Sequence, residues 1–278
     1  MTTVTLRDGS VVWYRRLGQG PAILQIHGSA FGHRNFEKLT PEMQHGCEVI
    51  DFDLPGFGDS RPGKTPFRSM EDLAALVAEV IRALGLERVH VHGTSYGAMI
   101  GLALAARHPE VVDHLVLSCF IARWDRAAAM MRATWKRAAK DSGMSAVADL
   151  TAVVGFARSY FERPEAQAQL ESMREAFSRT APAAFIASVE AAERADLTPF
   201  ARQIQAPTLI LAGENDAMTP LHAAASGVGL AEAAKLIPGC KEVHVVKDSG
   251  HYLVIEQPAA VARKIRAFLG VADPGNRA

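Results

Sequence analysis

The chain has 278 residues, 49% of them hydrophobic, and its 30 Lys and Arg residues balance its 30 Asp and Glu residues. A chain of this length and composition can bury a substantial core, and it fits one large α/β domain that carries an insertion. The balanced charge, without a basic run among aromatic residues, argues against nucleic acid as a partner.

Neither a secretion signal nor a membrane span is found in the sequence. No positively charged segment followed by an apolar stretch begins the chain, and no run of about 18 apolar residues occurs. The three cysteines, Cys47, Cys119 and Cys240, are widely spaced, which fits buried thiols in a reducing compartment. We therefore expect a cytoplasmic protein that has no membrane partner.

The first 85 residues predict strands and then a helix. Two strand patterns within 4–15 flank a hairpin-turn signal, which predicts two antiparallel strands at one edge of a sheet. Apolar runs at 22–26 and 47–53 are typical of strands buried on both faces of a parallel sheet. Apolar residues at helical spacing over 70–84 predict the first long helix.

The loop after the 22–26 strand begins with His27, Gly28 and Ser29. A loop at the C-terminal end of a parallel strand faces the ligand crevice. In hydrolytic folds of this kind the loop supplies one backbone amide of the oxyanion hole, and that position falls on Ser29. We interpret His27 as a residue that holds the loop, in preference to a catalytic base.

A strand pattern over 87–92 leads into Gly-Thr-Ser-Tyr-Gly at 93–97, and a helical run of small residues follows. The glycines allow strand and helix to approach closely, and the sharp turn exposes the Ser95 hydroxyl. The amide of Tyr96 then lies at the helix N-terminus, where it can stabilise an oxyanion. A glycine-rich turn with an incidental serine is the alternative, but the flanking strand and helix favour a nucleophile.

Between 121 and 197 the composition shifts to alanine, arginine, methionine and glutamate, which predicts an inserted helical segment. Aromatic side chains of this segment are candidates for an apolar substrate pocket, although most of them are expected to pack helix against helix. We count Trp135 and Tyr160 among the pocket residues, together with His27 and Phe31. The predicted helices cover 124–142, 144–162, 164–178 and 183–192.

Two further strand patterns, over 208–212 and 241–246, are each followed by a polar residue with a chemical role. Asp216 follows the first, and His251 follows the second. The C-terminal ends of parallel strands meet at one edge of a sheet, so Ser95, Asp216 and His251 are expected to converge. Taken singly, each residue has a plausible alternative, Asp216 as a loop cap and His251 as a core histidine whose hydrogen bonds are satisfied.

Together the three residues form a serine-hydrolase triad in the chain order nucleophile, acid, histidine. His251 takes the proton of the Ser95 hydroxyl, and Asp216 fixes the imidazole tautomer. The amides of Ser29 and Tyr96 bind the oxyanion. This chemistry needs no cofactor and no metal, and we expect neither.

Five segments of the chain carry a family resemblance. They are His-Gly-Ser-Ala at 27–30, Asp-Leu-Pro-Gly-Phe-Gly-Asp-Ser at 53–60, Gly-Thr-Ser-Tyr-Gly at 93–97, Gly-Glu-Asn-Asp at 213–216 with Thr-Pro at 219–220, and Ser-Gly-His at 249–251 with Glu-Gln-Pro at 256–258. In this order they resemble the α/β-hydrolase superfamily over nearly the whole chain. The resemblance implies a doubly wound, mostly parallel sheet, with 1–120 and 198–278 as the core and 121–197 as a helical cap. A helix over 258–269 and a disordered tail at 272–278 complete the chain.

Within the superfamily, three segments of the cap look similar to 3-oxoadipate enol-lactonases. They are Trp-Lys-Arg-Ala at 135–138, Gly-Met-Ser-Ala-Val-Ala-Asp at 143–149 and Ala-Asp-Leu at 195–197. A serine at position 95 differs from the aspartate nucleophile of the dehalogenases and epoxide hydrolases of this fold, and therefore argues against those two activities.

The sequence predicts hydrolysis of a small, largely apolar carboxylic ester or lactone through an acyl-enzyme. Two alternatives remain open. One is hydrolysis of a C–C bond in a β-diketone-like acid, which resembling enzymes perform with the same triad. The other is a lyase or ligand sensor built on the same scaffold. The expected partner is a small-molecule substrate, and a homodimer is left open.

Overall fold

The computed structural model describes residues 2–64 and 69–272. The strands are β1 (Thr3–Thr5), β2 (Val11–Leu17), β3 (Ala22–Ile26), β4 (Glu48–Phe52), β5 (Val89–Thr94), β6 (Val112–Ser118), β7 (Thr208–Gly213) and β8 (Cys240–Val246). They form one sheet in the order β1-β2-β4-β3-β5-β6-β7-β8. Strand β2 is antiparallel to both of its neighbours, and the pairs from β4 to β8 are parallel. The predicted mostly parallel α/β sheet is confirmed.

Helices connect the strands and cover both faces of the sheet. They are α1 (Thr40–Met43), α2 (Met70–Ala83), α3 (Tyr96–Arg107), α4 (Arg126–Asp141), α5 (Met144–Gly155), α6 (Ala166–Ser178), α7 (Pro182–Arg194), α8 (Thr198–Ala201), α9 (Leu230–Leu236), α10 (Leu253–Glu256) and α11 (Pro258–Leu269), with short 3₁₀ turns at Gly32–Phe36, Pro109–Val111 and Arg158–Glu162. None of the described helices has both the length and the apolar character that crossing a membrane requires.

Apolar side chains of the central strands enter two clusters, one on each face of the sheet. On β3, Leu24 belongs to the cluster that includes residues of α2, α3 and α9. Its neighbour Ile23 belongs to the second cluster, which includes residues of α1 and α11. The sheet is therefore the middle layer of three, as the doubly wound prediction requires.

Helices α4 to α7 lie between β6 and β7, where the helical insertion is predicted. Apolar residues of α5, α6 and α7 join the second cluster of the core. The division into a core of 1–120 and 198–278 and a cap of 121–197 stays a prediction. Of the tail predicted to be disordered, 273–278 lie outside the described residues.

One predicted helix differs from the structure. The pattern over 144–162 predicts one continuous helix, but α5 ends at Gly155. Phe156 and Ala157 are extended, and a 3₁₀ turn begins at Arg158. The break follows from long-range contacts at the end of α5, where the carbonyl group of Gly155 and the amide of Ala157 are bound by residues after β8.

Candidate active site

Ser95 occupies a sharp turn between β5 and α3. Its φ of 55° and ψ of −117° lie in a region that L-residues rarely adopt. Gly97 lets the turn approach β3, because a Cβ there would lie 2.0 Å from the carbonyl oxygen of Ile26. The Ser95 amide donates to the carbonyl oxygen of Ser118 at the end of β6, over 2.8 Å. The strained strand-to-helix turn expected at position 95 is therefore present.

Hydrogen bonds connect Ser95, His251 and Asp216 in series. Ser95 Oγ lies 2.9 Å from His251 Nε2, and His251 Nδ1 lies 3.0 Å from Asp216 Oδ2. The three residues follow β5, β8 and β7, so the parallel sheet brings them together as expected. His251 and Asp216 are only 5% and 8% exposed, which limits competition from water. The arrangement offers Ser95 a base, and it offers the base an orienting carboxylate.

The carboxylate of Asp216 is held by its own loop. Asp216 Oδ1 accepts from the amides of Met218 (2.8 Å) and Thr219 (2.9 Å), and Oδ2 accepts from the Thr219 hydroxyl (2.6 Å). Burial alone would raise the pKa of Asp216, but the charge of His251 and the hydrogen bonds from His251 and Thr219 hold it below its usual range. The carboxylate is therefore ionised at neutral pH.

The loop that carries His251 is bound to the end of α5. The His251 amide donates to the carbonyl oxygen of Gly155 over 2.6 Å. The buried Glu256 accepts from the amide of Ala157 at one oxygen (2.9 Å) and from that of Gly250 at the other (2.8 Å). Burial raises the pKa of Glu256 to about 7. The position of the histidine thus depends on a contact between the β8 loop and the inserted helices.

A largely apolar cavity adjoins Ser95 and His251. Ser29 and Tyr96, the residues predicted to supply oxyanion amides, both line it, as do Phe31 and Trp135. Other lining residues come from the helical insertion and from the loops after the strands; they include Phe120, Trp124, Arg132, Phe185 and Val189. The wall of the cavity therefore combines residues of the loops after the strands with residues of the helical insertion.

The prediction that His27 lines the pocket is wrong. The His27 ring is completely buried, and its Nε2 accepts from the Leu54 amide over 2.9 Å. Its Nδ1 lies 2.7 Å from the carbonyl oxygen of Gly28, which fixes the proton on Nδ1. Burial lowers the pKa of His27, so the ring stays neutral. His27 holds the loop after β3, as the structural interpretation of this residue states.

Tyr160 is also outside the cavity, so this prediction needs correction too. Its ring stacks on Phe156 with centroids 4.5 Å apart, and the Arg163 guanidinium lies 4.9 Å from its centroid. Only 2% of Tyr160 is exposed. The break after α5 directs this segment into the packing between the insertion and the β8 loop, a contact that helical spacing alone does not reveal.

Comparison with known proteins identifies the family. A family model described as the alpha/beta hydrolase fold matches residues 21–258. The chain belongs to the α/β-hydrolase family. This chain is 29% identical over 265 residues to the 2-hydroxy-6-oxo-2,4-heptadienoate hydrolase of Pseudomonas putida. The matched region covers 92% of each of the two chains.

Two more proteins show the range of similar enzymes. The hydrolase is 30% identical over 211 residues to the pimeloyl-[acyl-carrier protein] methyl ester esterase of Neisseria meningitidis, covering 70% of this chain and 75% of the relative. The enol-lactonase of Burkholderia xenovorans LB400 has a similar structure, with a TM-score of 0.84, 26% identity and coverage of 97% of this chain and 100% of the other. The similar proteins are hydrolases, and this chain is therefore an enzyme of the α/β-hydrolase family.

Three groups of described side chains bring potential metal ligands within 4.8 Å of one another. One of them, Cys119, Asp216 and His251, belongs to the site itself. Burial and the charge of Asp216 raise the pKa of the Cys119 thiol well above its usual range. Within this group, Asp216 and His251 are hydrogen-bonded to each other. The other two groups are His90, Asp113 and His114, and His33, Asp53 and Asp59.

Sequence reasoning missed two residues of the site in this hydrolase. Thr219 touches both Asp216 and His251, and the only signal for it was the Thr-Pro pair of the family pattern. Arg132 lines the cavity although it lies on α4 among other charged residues, where nothing in the pattern separates it from a solvent-exposed arginine. Only the fold shows that it points inward.

Proposed function

We propose that this α/β-hydrolase cleaves a small carboxylic ester or lactone through an acyl-enzyme on Ser95. The observation that carries the proposal is the hydrogen-bond series from Ser95 Oγ to His251 Nε2 (2.9 Å) and from His251 Nδ1 to Asp216 Oδ2 (3.0 Å), at the wall of a largely apolar cavity. A serine nucleophile, a base and an orienting acid are the groups that acyl transfer requires.

In the first half of the reaction, Ser95 Oγ attacks the substrate carbonyl carbon while its proton passes to His251 Nε2. Asp216 is ionised, so it stabilises the imidazolium and keeps the Nδ1 proton directed at Oδ2. The amides of Ser29 and Tyr96 donate to the tetrahedral oxyanion, each contributing about 3 kcal/mol. The C–O bond then breaks, and His251 gives its proton to the leaving alkoxide.

In the second half, water replaces the alcohol. His251 takes a proton from the water as it attacks the acyl carbonyl, and the same oxyanion amides stabilise the second tetrahedral intermediate. The ester bond to Ser95 breaks, the proton returns from His251 to Ser95 Oγ, and the carboxylic acid product leaves. Every proton is carried by these side chains and by water.

Helices α4 to α7 are proposed to act as the cap of this site. Arg132 and Trp135 on α4 and Phe185 and Val189 on α7 line the cavity above the serine turn. Residues from these helices therefore decide which acyl or alcohol groups fit, while the core supplies the reacting groups. The substrate is a small molecule that the cap encloses.

Hydrolysis of a C–C bond is the second candidate, because the relative from Pseudomonas putida is named as a 2-hydroxy-6-oxo-2,4-heptadienoate hydrolase. The same serine, histidine and aspartate would serve, with a carbanion as the leaving group in place of an alkoxide. Similarity to an enol-lactonase structure and to an esterase supports the first candidate.

A turnover screen separates the candidates. Purified wild type and Ser95→Ala are assayed with p-nitrophenyl acyl esters, small lactones and vinylogous 1,5-diketo acids. The proposal predicts hydrolysis of esters or lactones that Ser95→Ala abolishes while the fold is retained. Turnover of the diketo acids alone would replace it with the C–C hydrolase. A lack of any turnover and of labelling by a fluorophosphonate would leave the lyase or sensor as the better account.

A further inference from the structure

Arg132 is a buried cation in the wall of the cavity that contains Ser95 and His251. The residue is only 3% exposed, and, among the residues that the structure describes, its Nε and Nη1 atoms have no hydrogen-bond partner. Leaving charged donors buried and unbonded costs free energy, so bound water or a ligand usually completes their hydrogen bonds. The described residues supply no partner for these two donors of Arg132, which lines the cavity.

The residues around Arg132 hold the guanidinium but leave its donors free. Its Cζ lies 3.5 Å from the ring centroid of Trp124, and the Trp124 indole N–H donates to the carbonyl oxygen of Ala192 over 2.8 Å. Stacking of this kind occupies a face of the planar guanidinium, whereas its N–H groups point outward along the edges. The aromatic contact thus positions the cation without using its hydrogen-bonding capacity.

The nearby carboxylates already have other partners. Glu193 accepts from the ammonium of Lys136 over 2.7 Å. Asp125 caps α4 through the amide of Ala128 (2.9 Å) and accepts from the amide of Ala224 (3.1 Å). Both carboxylates favour the charged form of Arg132, whereas burial lowers its pKa to about 10, so it is protonated at neutral pH. A ligand would meet a fixed positive charge with free donors.

We propose that Arg132 binds a carboxylate of the substrate at a position remote from the bond that is cleaved. Planar guanidinium groups match carboxylates in shape and charge, and a buried pair of this kind is stronger than a neutral hydrogen bond. The inference rests on the proposed function, because it assigns the carboxylate to the ester or lactone that occupies the same cavity. The substrate is accordingly an acidic ester or lactone, with an apolar part between its carboxylate and its reacting carbonyl.

Pairs of substrates that differ only in charge test this assignment. In one series the monomethyl esters of dicarboxylic acids, from succinic to suberic acid, are compared with their primary amides, which have the same shape and no charge. In a second series the carboxylate is in the alcohol, as in the acetates of ω-hydroxy acids and of their amides. For the best substrate, kcat/KM of the carboxylate should exceed that of its amide by about tenfold to a hundredfold.

Variants attribute this preference to one side chain. Arg132→Met should reduce the ratio of the two kcat/KM values to about one, Arg132→Gln should act likewise if the methionine variant does not fold, and Arg132→Lys should keep part of the ratio. Arg137→Met removes an exposed arginine from the same helix and should keep the wild-type ratio. A wild-type ratio of about one, or an unchanged ratio without Arg132, would overturn the inference.

A binding measurement distinguishes failure of this inference from failure of the proposed function. Ser95→Ala protein is titrated calorimetrically with the same pairs, with and without Arg132→Met. Tighter binding of the carboxylate that disappears with Arg132 supports the inference even if no ester is hydrolysed, in which case only the proposed function fails. If esters are hydrolysed but the carboxylate and its amide bind equally, the proposed function stands and the role of Arg132 fails.

Discussion

At the scale of single residues, the tautomer of His251 depends on Asp216 and Thr219. The Thr219 hydroxyl lies 2.6 Å from Asp216 Oδ2 and 3.1 Å from His251 Nδ1, so it contacts both members of the pair. With the Nδ1 proton directed at the ionised Asp216, Nε2 is left as the acceptor for the Ser95 proton. Asp216 and Thr219 therefore set the tautomer and the orientation of the His251 ring.

Replacing Asp216 tests the tautomer argument. Asp216→Asn keeps the size of the side chain but can present an N–H to His251 Nδ1, which would move the proton to Nε2. We expect kcat on the best ester to fall by about 10⁴ while the melting temperature changes little. Steady-state kinetics and thermal unfolding are the measurements, and an asparagine variant of near wild-type activity would assign the acid role to another residue.

Thr219 is predicted to act as a positioning residue through Asp216. Thr219→Val removes the hydroxyl, so the pKa of Asp216 should rise, and kcat should fall on the order of tenfold. The titration of the Asp216 carboxyl, followed by NMR, should move to higher pH, which a purely structural loss would not cause. Thr219→Ser is the matched control and should restore both values; a valine variant in which the Asp216 titration is unshifted would refute this role.

The types of the reacting residues were predictable at this scale, but their neighbours were not. Ser95, Asp216 and His251 each follow a strand pattern, and the ends of parallel strands converge whatever the details of packing. Arg132 and Thr219 depend on contacts between segments far apart in the chain. His27 and Tyr160 are predicted to line the pocket from their residue type, but residue type does not show which way a side chain points, and both are buried outside the cavity.

At the scale of elements, the serine turn depends on a close approach of α3 to β3. Apolar runs were sufficient to predict the central strands, since strands buried on both faces need continuous apolar sequence. The end of α5 was not predictable, because hydrogen bonds from the His251 loop compete with the helix beyond Gly155. Tertiary contacts outweigh local helical preference at that point.

Two glycines of α3 give a matched test of the serine turn. At Gly97 a Cβ would lie 2.0 Å from the backbone oxygen of Ile26, whereas at Gly101 the nearest atoms are side-chain carbons at 3.6 Å. Gly97→Ala should lower the free energy of unfolding by about 3 kcal/mol and impair activity. Gly101→Ala should instead raise it by about 0.5–1 kcal/mol. Urea unfolding measures both changes. Equal changes in the free energy of unfolding at Gly97 and Gly101 would contradict the close approach of α3 to β3.

The contact between α5 and the His251 loop predicts a dependence of stability on pH. Glu256 is buried, and its pKa is raised to about 7 in the folded protein from an unfolded value of 4.5. Between these values the folded state holds the proton more tightly than the unfolded state, so stability falls as pH rises through this window. The free energy of unfolding should fall by on the order of 3 kcal/mol in total, and the fall is complete above pH 7.

Glu256→Gln isolates this contribution, because the amide does not titrate. The difference in free energy of unfolding, wild type minus variant, should decrease from about pH 4.5 to about pH 7 and then stay constant. The variant loses one acceptor for the amides of Ala157 and Gly250. That loss lowers its free energy of unfolding by the same amount at every pH, so it does not change the slope of the difference. Parallel stability curves for the two proteins across this range would disprove the role of Glu256.

At the scale of the whole molecule, the parallel sheet brings distant residues together at the ends of its strands, and residues of α4 and α7 line the cavity beside them. The mostly parallel α/β class was predictable from the alternation of strand and helix patterns. The order of the eight strands was not, because it depends on crossover connections that leave no periodic signal. Substrate class likewise depends on residues such as Arg132, whose inward direction only the assembled fold reveals.

The identity of the nucleophile is tested most directly by the mass of the acyl-enzyme. Wild type and Ser95→Ala are mixed with a p-nitrophenyl acyl ester and quenched in acid within the first turnovers, and intact mass and peptide mapping locate any acyl group. We expect one acyl group on the peptide that contains Ser95 in the wild type, with neither adduct nor turnover in the variant. Turnover by Ser95→Ala, or an acyl group on another residue, would contradict the proposed mechanism.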